Sequence, residues 1–171
     1  MKKVIIFLFC SFMCLAGDEE KIKKILNFSE IHGEFNQTKI LKSFKNPIVA
    51  YGKFAIYDET FEQNLTKPFQ VSVRVDKNGV FELRNGKFEK INSNFNGDIF
   101  LNIFTMNFEN LKTNFDYKIS FKDDWEILLL PKGILSKIFS QIRINGKKYV
   151  EKIVLEEING DKTIYEFFNI K

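Results

Sequence analysis

In QVSVRVDKNGVFEL, residues 70–83, apolar and polar side chains alternate on both sides of an Asn-Gly dipeptide. A period of two places Val71, Val73 and Val75 on one face and Gln70, Ser72 and Arg74 on the other. Asn78-Gly79 is hairpin chemistry, so the stretch predicts two antiparallel strands, each with one buried and one wet face. The same grammar recurs along most of the chain. Phe35, Gln37 and Lys39 share a face after Gly33, Phe54 and Ile56 oppose Lys53, Ala55 and Tyr57, and breaks fall at Asn46-Pro47, Asp58-Glu59, Lys67-Pro68 and Asn85-Gly86. Further strands are expected in DYKISF, in WEILLL up to Pro131, in FSQIRI up to Asn145-Gly146, in YVEKIVLEEI up to Asn159-Gly160, and in TIYEFFNI.

Two stretches depart from this period. EEKIKKILNFSEI, from Glu19, sets Ile22, Ile25 and Leu26 on one side at helical spacing, and IFLNIFTMNFENL forms stripes of Ile99, Ile103 and Met106 or of Phe100, Phe104 and Leu111. The second helix is expected to start at an Asp98 cap and to break near Asn107. About ten amphipathic strands cannot remain flat, and curling around the helices hides their apolar face. The architecture that fits is mainly β, a single curved antiparallel sheet with helices on its concave side. A two-sheet sandwich is the alternative, with the helices at an edge and no cavity.

The N-terminus reads as a separate segment. MKK followed by VIIFLFCSFMCLA has the form of a secretory signal peptide, too short to span a bilayer comfortably. Cleavage is expected between Ala16 and Gly17, leaving residues 17–171 as one exported domain in the periplasm. Lipoprotein processing is the lesser alternative, because Phe9 and Met13, rather than small residues, precede Cys10 and Cys14. Both cysteines fall within the leader, which removes disulfides, thiolate catalysis and Cys-ligated metals together. Loss of Lys2 and Lys3 brings the formal net charge from +4 to +2, with basic residues dispersed among acidic ones, so no nucleic-acid partner is expected. The 20 phenylalanines accompany abundant Lys, Asn and Ile and only three arginines, the skew of an AT-rich coding sequence, so their positions inform more than their number.

Reactive constellations are scarce. His32 is the one histidine, which excludes metal sites built on several histidines, and beside Gly33 it reads as a turn residue. Asp123-Asp124 and Glu156-Glu157 are adjacent pairs, and adjacent residues on a strand point to opposite faces, which does not suit a glycosidase. No catalytic residue, metal or cofactor is expected.

In order and spacing, several short pieces resemble the periplasmic outer-membrane lipoprotein carrier family, the LolA-like proteins. Phe35 and Gln37 match its Phe-x-Gln opening, Gly52 and Phe54 its Gly-x-aromatic strand, Pro68 its proline after a strand, and Asn78-Gly79 with Phe81 its turn before an apolar strand. Trp125 to Pro131, with Leu129 inside, matches its aromatic-x-Leu-x-Pro strand. The resemblance implies an unclosed half-barrel whose concave face is covered by a helical lid over an apolar cavity for acyl chains. It also implies inner-membrane donor and outer-membrane acceptor partners, and a monomer is expected. The family's lid-latching arginine has no counterpart in residues 55–62, where Tyr57 or Asp58 occupies the region, and the chain looks closer to shorter relatives linked to glycolipid or other lipid export. On this reading, strand parity assigns Phe54, Ile56, Phe61, Leu65, Val71, Val73, Phe81 and Leu83 to the cavity wall, with Phe100, Ile103 and Phe104 from the covering helix. The competing expectation is a non-catalytic adaptor whose apolar face is a closed core or docks another protein; a hydrolase ranks third.

Overall fold

A computed structural model describes residues 10–91 and 97–171, with side chains over 17–91 and 101–171. The strands are β1 (Glu30–Ile40), β2 (Ile48–Tyr57), β3 (Thr60–Lys67), β4 (Val71–Asp76), β5 (Gly79–Arg84), β6 (Lys87–Lys90), β7 (Phe115–Phe121), β8 (Trp125–Pro131), β9 (Phe139–Gly146), β10 (Val150–Glu157) and β11 (Lys162–Phe168). The helices are α1 (Cys10–Ile25), α2 (Gly97–Phe104) and α3 (Phe108–Asn114), with a 3-10 turn at Leu135–Lys137. All 11 strands form one antiparallel sheet in the order β6-β5-β4-β3-β2-β1-β11-β10-β9-β8-β7, which rules out the sandwich. The sheet is open, with β6 and β7 at its edges, and β1 at its centre. From β1 the chain meanders outward to one edge, passes through α2 and α3, and meanders back from the other edge until β11 pairs with β1. The sheet therefore has two wings, β2–β6 and β7–β11.

Several boundaries differ from the sequence expectation. Helix α1 includes residues ahead of Glu19 and runs unbroken through Ala16-Gly17. Strand β1 begins at Glu30, so His32 is an exposed strand residue rather than part of a turn. Asp98 lies within helix α2 and not at its cap. The expected break near Asn107 is present, and the Asn107 side chain caps α3 by accepting from the Asn110 amide at 3.2 Å. Asn145-Gly146 ends β9, and residues 147–149 make the turn.

The face toward the helices carries the core. In the β7–β11 wing this face is sealed over β8–β10: Ile127, Leu129, Ile142, Ile144 and Ile153 are inaccessible to solvent, and Trp125 closes the row with its indole NH donated to the Lys147 carbonyl at 2.8 Å. Helix α1 lies beside β7 with Ile22 fully buried. Its Glu19 carboxylate accepts from the Tyr117 hydroxyl and pairs with Lys112 Nζ at 3.1 Å, tying the helix to β7 and α3. At the centre two glycines admit two aromatic rings. Gly33 pairs with Phe54 and Phe35 with Gly52 across β1 and β2. A Cβ on Gly52 would come within 2.8 Å of the Phe35 ring, and one on Gly33 within 2.9 Å of the Phe54 ring. Each ring thus lies over its partner's missing side chain.

Candidate functional site

The β2–β6 wing is built from equally alternating strands but is covered less completely. Register defines its helix-facing surface: Phe61 opposes Ile56 and Val75, Gln63 opposes Phe54 and Val73, and Leu65 opposes Gly52 and Val71. Phe54 and Phe61 are buried, whereas Ile56, Leu65, Val71 and Val73 are half-buried. Helix α2 packs over β4 and β5 and contributes Ile103 and Phe104, both buried. Ten of the 11 expected wall residues have described side chains, and eight of these lie on this surface or come from α2.

Phe81 and Leu83 do not join it. The β4–β5 loop has two residues, Lys77 and Asn78, so Val75 pairs with Val80, Val73 with Glu82 and Arg74 with Phe81. With a two-residue loop, odd-numbered residues of β4 share a face with even-numbered residues of β5, which sends Phe81 and Leu83 to the outer surface. Val80, half-buried against the core, takes the inner place. On the outer surface Arg74 lies over the rings of Phe81 (5.1 Å) and Phe88 (4.5 Å), beside Asp76 at 3.6 Å. The Phe100 side chain lies outside the described residues.

Eight of the expected residues are therefore placed on the sheet's inner face or on α2: Phe54, Ile56, Phe61, Leu65, Val71, Val73, Ile103 and Phe104. Their centre is filled. Phe104 stacks on Phe61 with ring centroids 4.7 Å apart and meets Phe167 edge-on at 5.1 Å, and Phe54 meets Phe167 at the same distance. The helix thus rests on the sheet through rings. Tyr57, which with Asp58 occupies the region where the family resemblance would call for a latching arginine, points to the outer surface and donates to Glu62 at 2.7 Å. That bond, helped by burial, pushes the Tyr57 hydroxyl up to about 12. Tyr165, opposite Gln37 on the inner face, accepts from Gln37 Nε2 at 3.0 Å, and burial raises its pKa above the ordinary tyrosine value.

A cleft of about 870 Å³ opens elsewhere, between the C-terminal turn of α1, the α2–α3 junction and the turns bearing Glu59 and Lys77. Asn102, Asn107, Asn110 and Asn114 line it, with Leu101, Met106 and Phe108 among its apolar contacts. Its amides are engaged locally, Asn110 donating to Asn102 at 3.1 Å and Asn107 capping α3. It is an amide-rich surface cleft rather than an apolar chamber. Glu156 is held by Lys162 and Gln141, and the Lys162 contact first of all keeps its carboxyl below the usual range. No group of three or more His, Cys, Asp or Glu suited to a metal occurs among the described residues.

An open antiparallel sheet that wraps one face around short helices defines the class of fold, and a solved structure shares it. A LolA superfamily protein from Nitrosomonas europaea matches with a TM-score of 0.54 and 8% sequence identity, over 91% of this chain and 92% of that one. The fold is LolA-like. A DUF1329 family protein from Desulfovibrio piger (TM-score 0.44, 9% identity, 93% and 92% of the two chains) is more distant. An outer membrane lipoprotein-sorting protein domain from Vibrio parahaemolyticus (0.34, 8%, 90% and 90%) is more distant again. No protein-family model matches the sequence, nor does any curated protein sequence. No helix among the described residues is long and apolar enough to cross a membrane.

Proposed function

We propose that this chain is a non-catalytic periplasmic carrier that holds the acyl chains of lipoproteins, or of another lipid, between α2 and the inner face of β2–β5 and delivers them towards the outer membrane. The observation that carries this reading is the half-buried aliphatic row Ile56, Leu65, Val71 and Val73 beneath one short helix seated on aromatic rings. Energetics favour exchange: freeing one buried phenylalanine costs about 2–3 kcal/mol, whereas a sixteen-carbon tail gains about 12 kcal/mol on leaving water. A lipid entering under α2 can therefore displace Phe104 and still bind. Export of residues 17–171 after removal of residues 1–16, a donor in the inner membrane, an acceptor in the outer membrane and a monomeric carrier complete the proposal.

The packed phenylalanine centre is also what a closed adaptor domain would have, and this supports the second reading. A fluorescent fatty acid separates the two. Saturable uptake that Val73→Asp weakens by roughly tenfold or more, with a smaller relative loss of stability, fits the carrier. No uptake by the unaltered protein, or equal loss of uptake and folding in the variant, returns Val73 to an ordinary core and favours the adaptor.

A further inference from the structure

The four most exposed large apolar side chains among the described residues are Phe69 (76%), Ile134 (75%), Phe44 (64%) and Ile158 (59%). They lie on four different loops, β3–β4, β8–β9, β1–β2 and β10–β11, and the strand directions bring all four loops to the same end of the sheet. Three of these loops are bound into one platform. The Lys42 amide donates to Asp161 Oδ1 at 2.8 Å, joining β1–β2 to β10–β11, and the Ile158 amide donates to the Ile138 carbonyl at 2.9 Å, joining β10–β11 to β8–β9. Leu135 is buried in the core directly beside Ile134, so the β8–β9 loop is anchored while its neighbouring side chain faces water. Such exposure is a fixed property of the platform.

Its charge is one-sided. Residues 41–47, 68–70, 85–86, 132–138 and 158–161, the loops of this end, contain Lys42, Lys45, Lys132 and Lys137 and one carboxylate, Asp161, which already accepts from the Lys42 amide and from Asn159 Nδ2. Lys42, Lys45 and Lys137 are exposed. The loops at the opposite end, 58–59, 77–78, 122–124 and 147–149, balance Asp58, Glu59, Asp123 and Asp124 against lysines, and their one large ring, Tyr149, packs on Phe28. Lys132 pairs with Asp116 at 3.2 Å, which leaves Lys42, Lys45 and Lys137 as the lysines of this end without an ion pair among the described residues; apolar tips among such lysines suit the boundary between acyl chains and anionic headgroups.

We propose that this end docks on an anionic lipid bilayer, with Phe44, Phe69, Ile134 and Ile158 entering the interface and Lys42, Lys45 and Lys137 meeting phosphates. The surface stands on exposure and charge, independently of what the inner face holds. Flotation of the full chain with vesicles of phosphatidylcholine, alone or mixed with phosphatidylglycerol, tests it. Binding is expected to the mixed vesicles, weakened by salt. The triple change Phe44→Ser, Ile134→Ser and Ile158→Ser, all at exposed sites, is expected to reduce it by roughly tenfold or more, and Lys45→Glu with Lys137→Glu to abolish the preference for anionic lipid. Phe121→Ser, at the other end, is expected to leave binding intact. Fatty-acid uptake from solution, measured in parallel, should be unchanged in the triple variant. The proposal is overturned by an unaltered protein that ignores anionic vesicles, including one that instead crosslinks to a protein through this end. It is overturned equally by a triple variant that floats normally, or by one that loses flotation and uptake together.

Discussion

The two wings are built from the same kind of strand, yet β7–β11 is sealed over its strands β8–β10 and β2–β6 is not. In the first, Ile127, Leu129, Ile142, Ile144 and Ile153 leave no accessible area, and α1 is fastened by Glu19 to Tyr117 and Lys112. In the second, Val71, Val73 and Val80 stay half-buried, and α2 sits on the rings of Phe54, Phe61 and Phe167. Directional bonds between charged groups fix one geometry, whereas ring packing tolerates sliding and replacement by other apolar matter. The lesson is that alternation specifies a sheet, while the contacts above the sheet decide which half can yield.

Truncation in the sealed wing should have the largest effect. Ile144→Ala is expected to cost about 2–5 kcal/mol in urea unfolding, against about 1 kcal/mol for Val73→Ala, since a half-buried side chain has less to lose. Equal costs would erase the difference between the wings. Phe104→Ala should lower stability by about 3 kcal/mol while strengthening fatty-acid binding, because no ring then has to be displaced. Weaker binding by this variant would make Phe104 part of the holding surface and not its plug. Glu19→Ala is expected to cost about 1–3 kcal/mol and to speed amide exchange in α1 without changing exchange in α2. The smallest effect concerns pH. Tyr57 titrates near 12 in the folded chain and near 10 when unfolded, so the folded state retains its proton longer and stability falls as pH rises through that window. Thermal melts of Tyr57→Phe should show a shallower alkaline decline, with part of the remainder due to Tyr117, whose pKa is also raised, by burial first and by its bond to Glu19.

Much of this fold was legible because its information is local. Alternation in residues 70–83, the Asn85-Gly86 turn, with both residues at positive φ, and the interruption at Asn107 each map directly onto an observed element. The pairing of β1 with β11 was not legible, since nothing near Phe35 names Phe167 as its partner. Site residues were harder, because a face is inherited through register from strand to strand. Phe81 and Leu83 could have been placed outside from any two-residue β4–β5 loop, had the parity been carried across it. The filled centre left no trace in periodicity: Gly33 and Gly52 make room for Phe54 and Phe35 only once the two strands are aligned. The exposed ends of Phe44, Ile134 and Ile158 had no period to announce them, as loops obey none.

The central seam between β1 and β11 has a consequence for biogenesis. It extends to the segment ahead of Phe35, where the His32 amide donates to the Lys171 carbonyl and the Lys171 amide returns the bond to His32. During synthesis the first strand must wait, one side unsatisfied, until the eleventh has emerged from the ribosome. A nascent polypeptide kept unfinished in this way stays threadable, the state that the export proposed above would require.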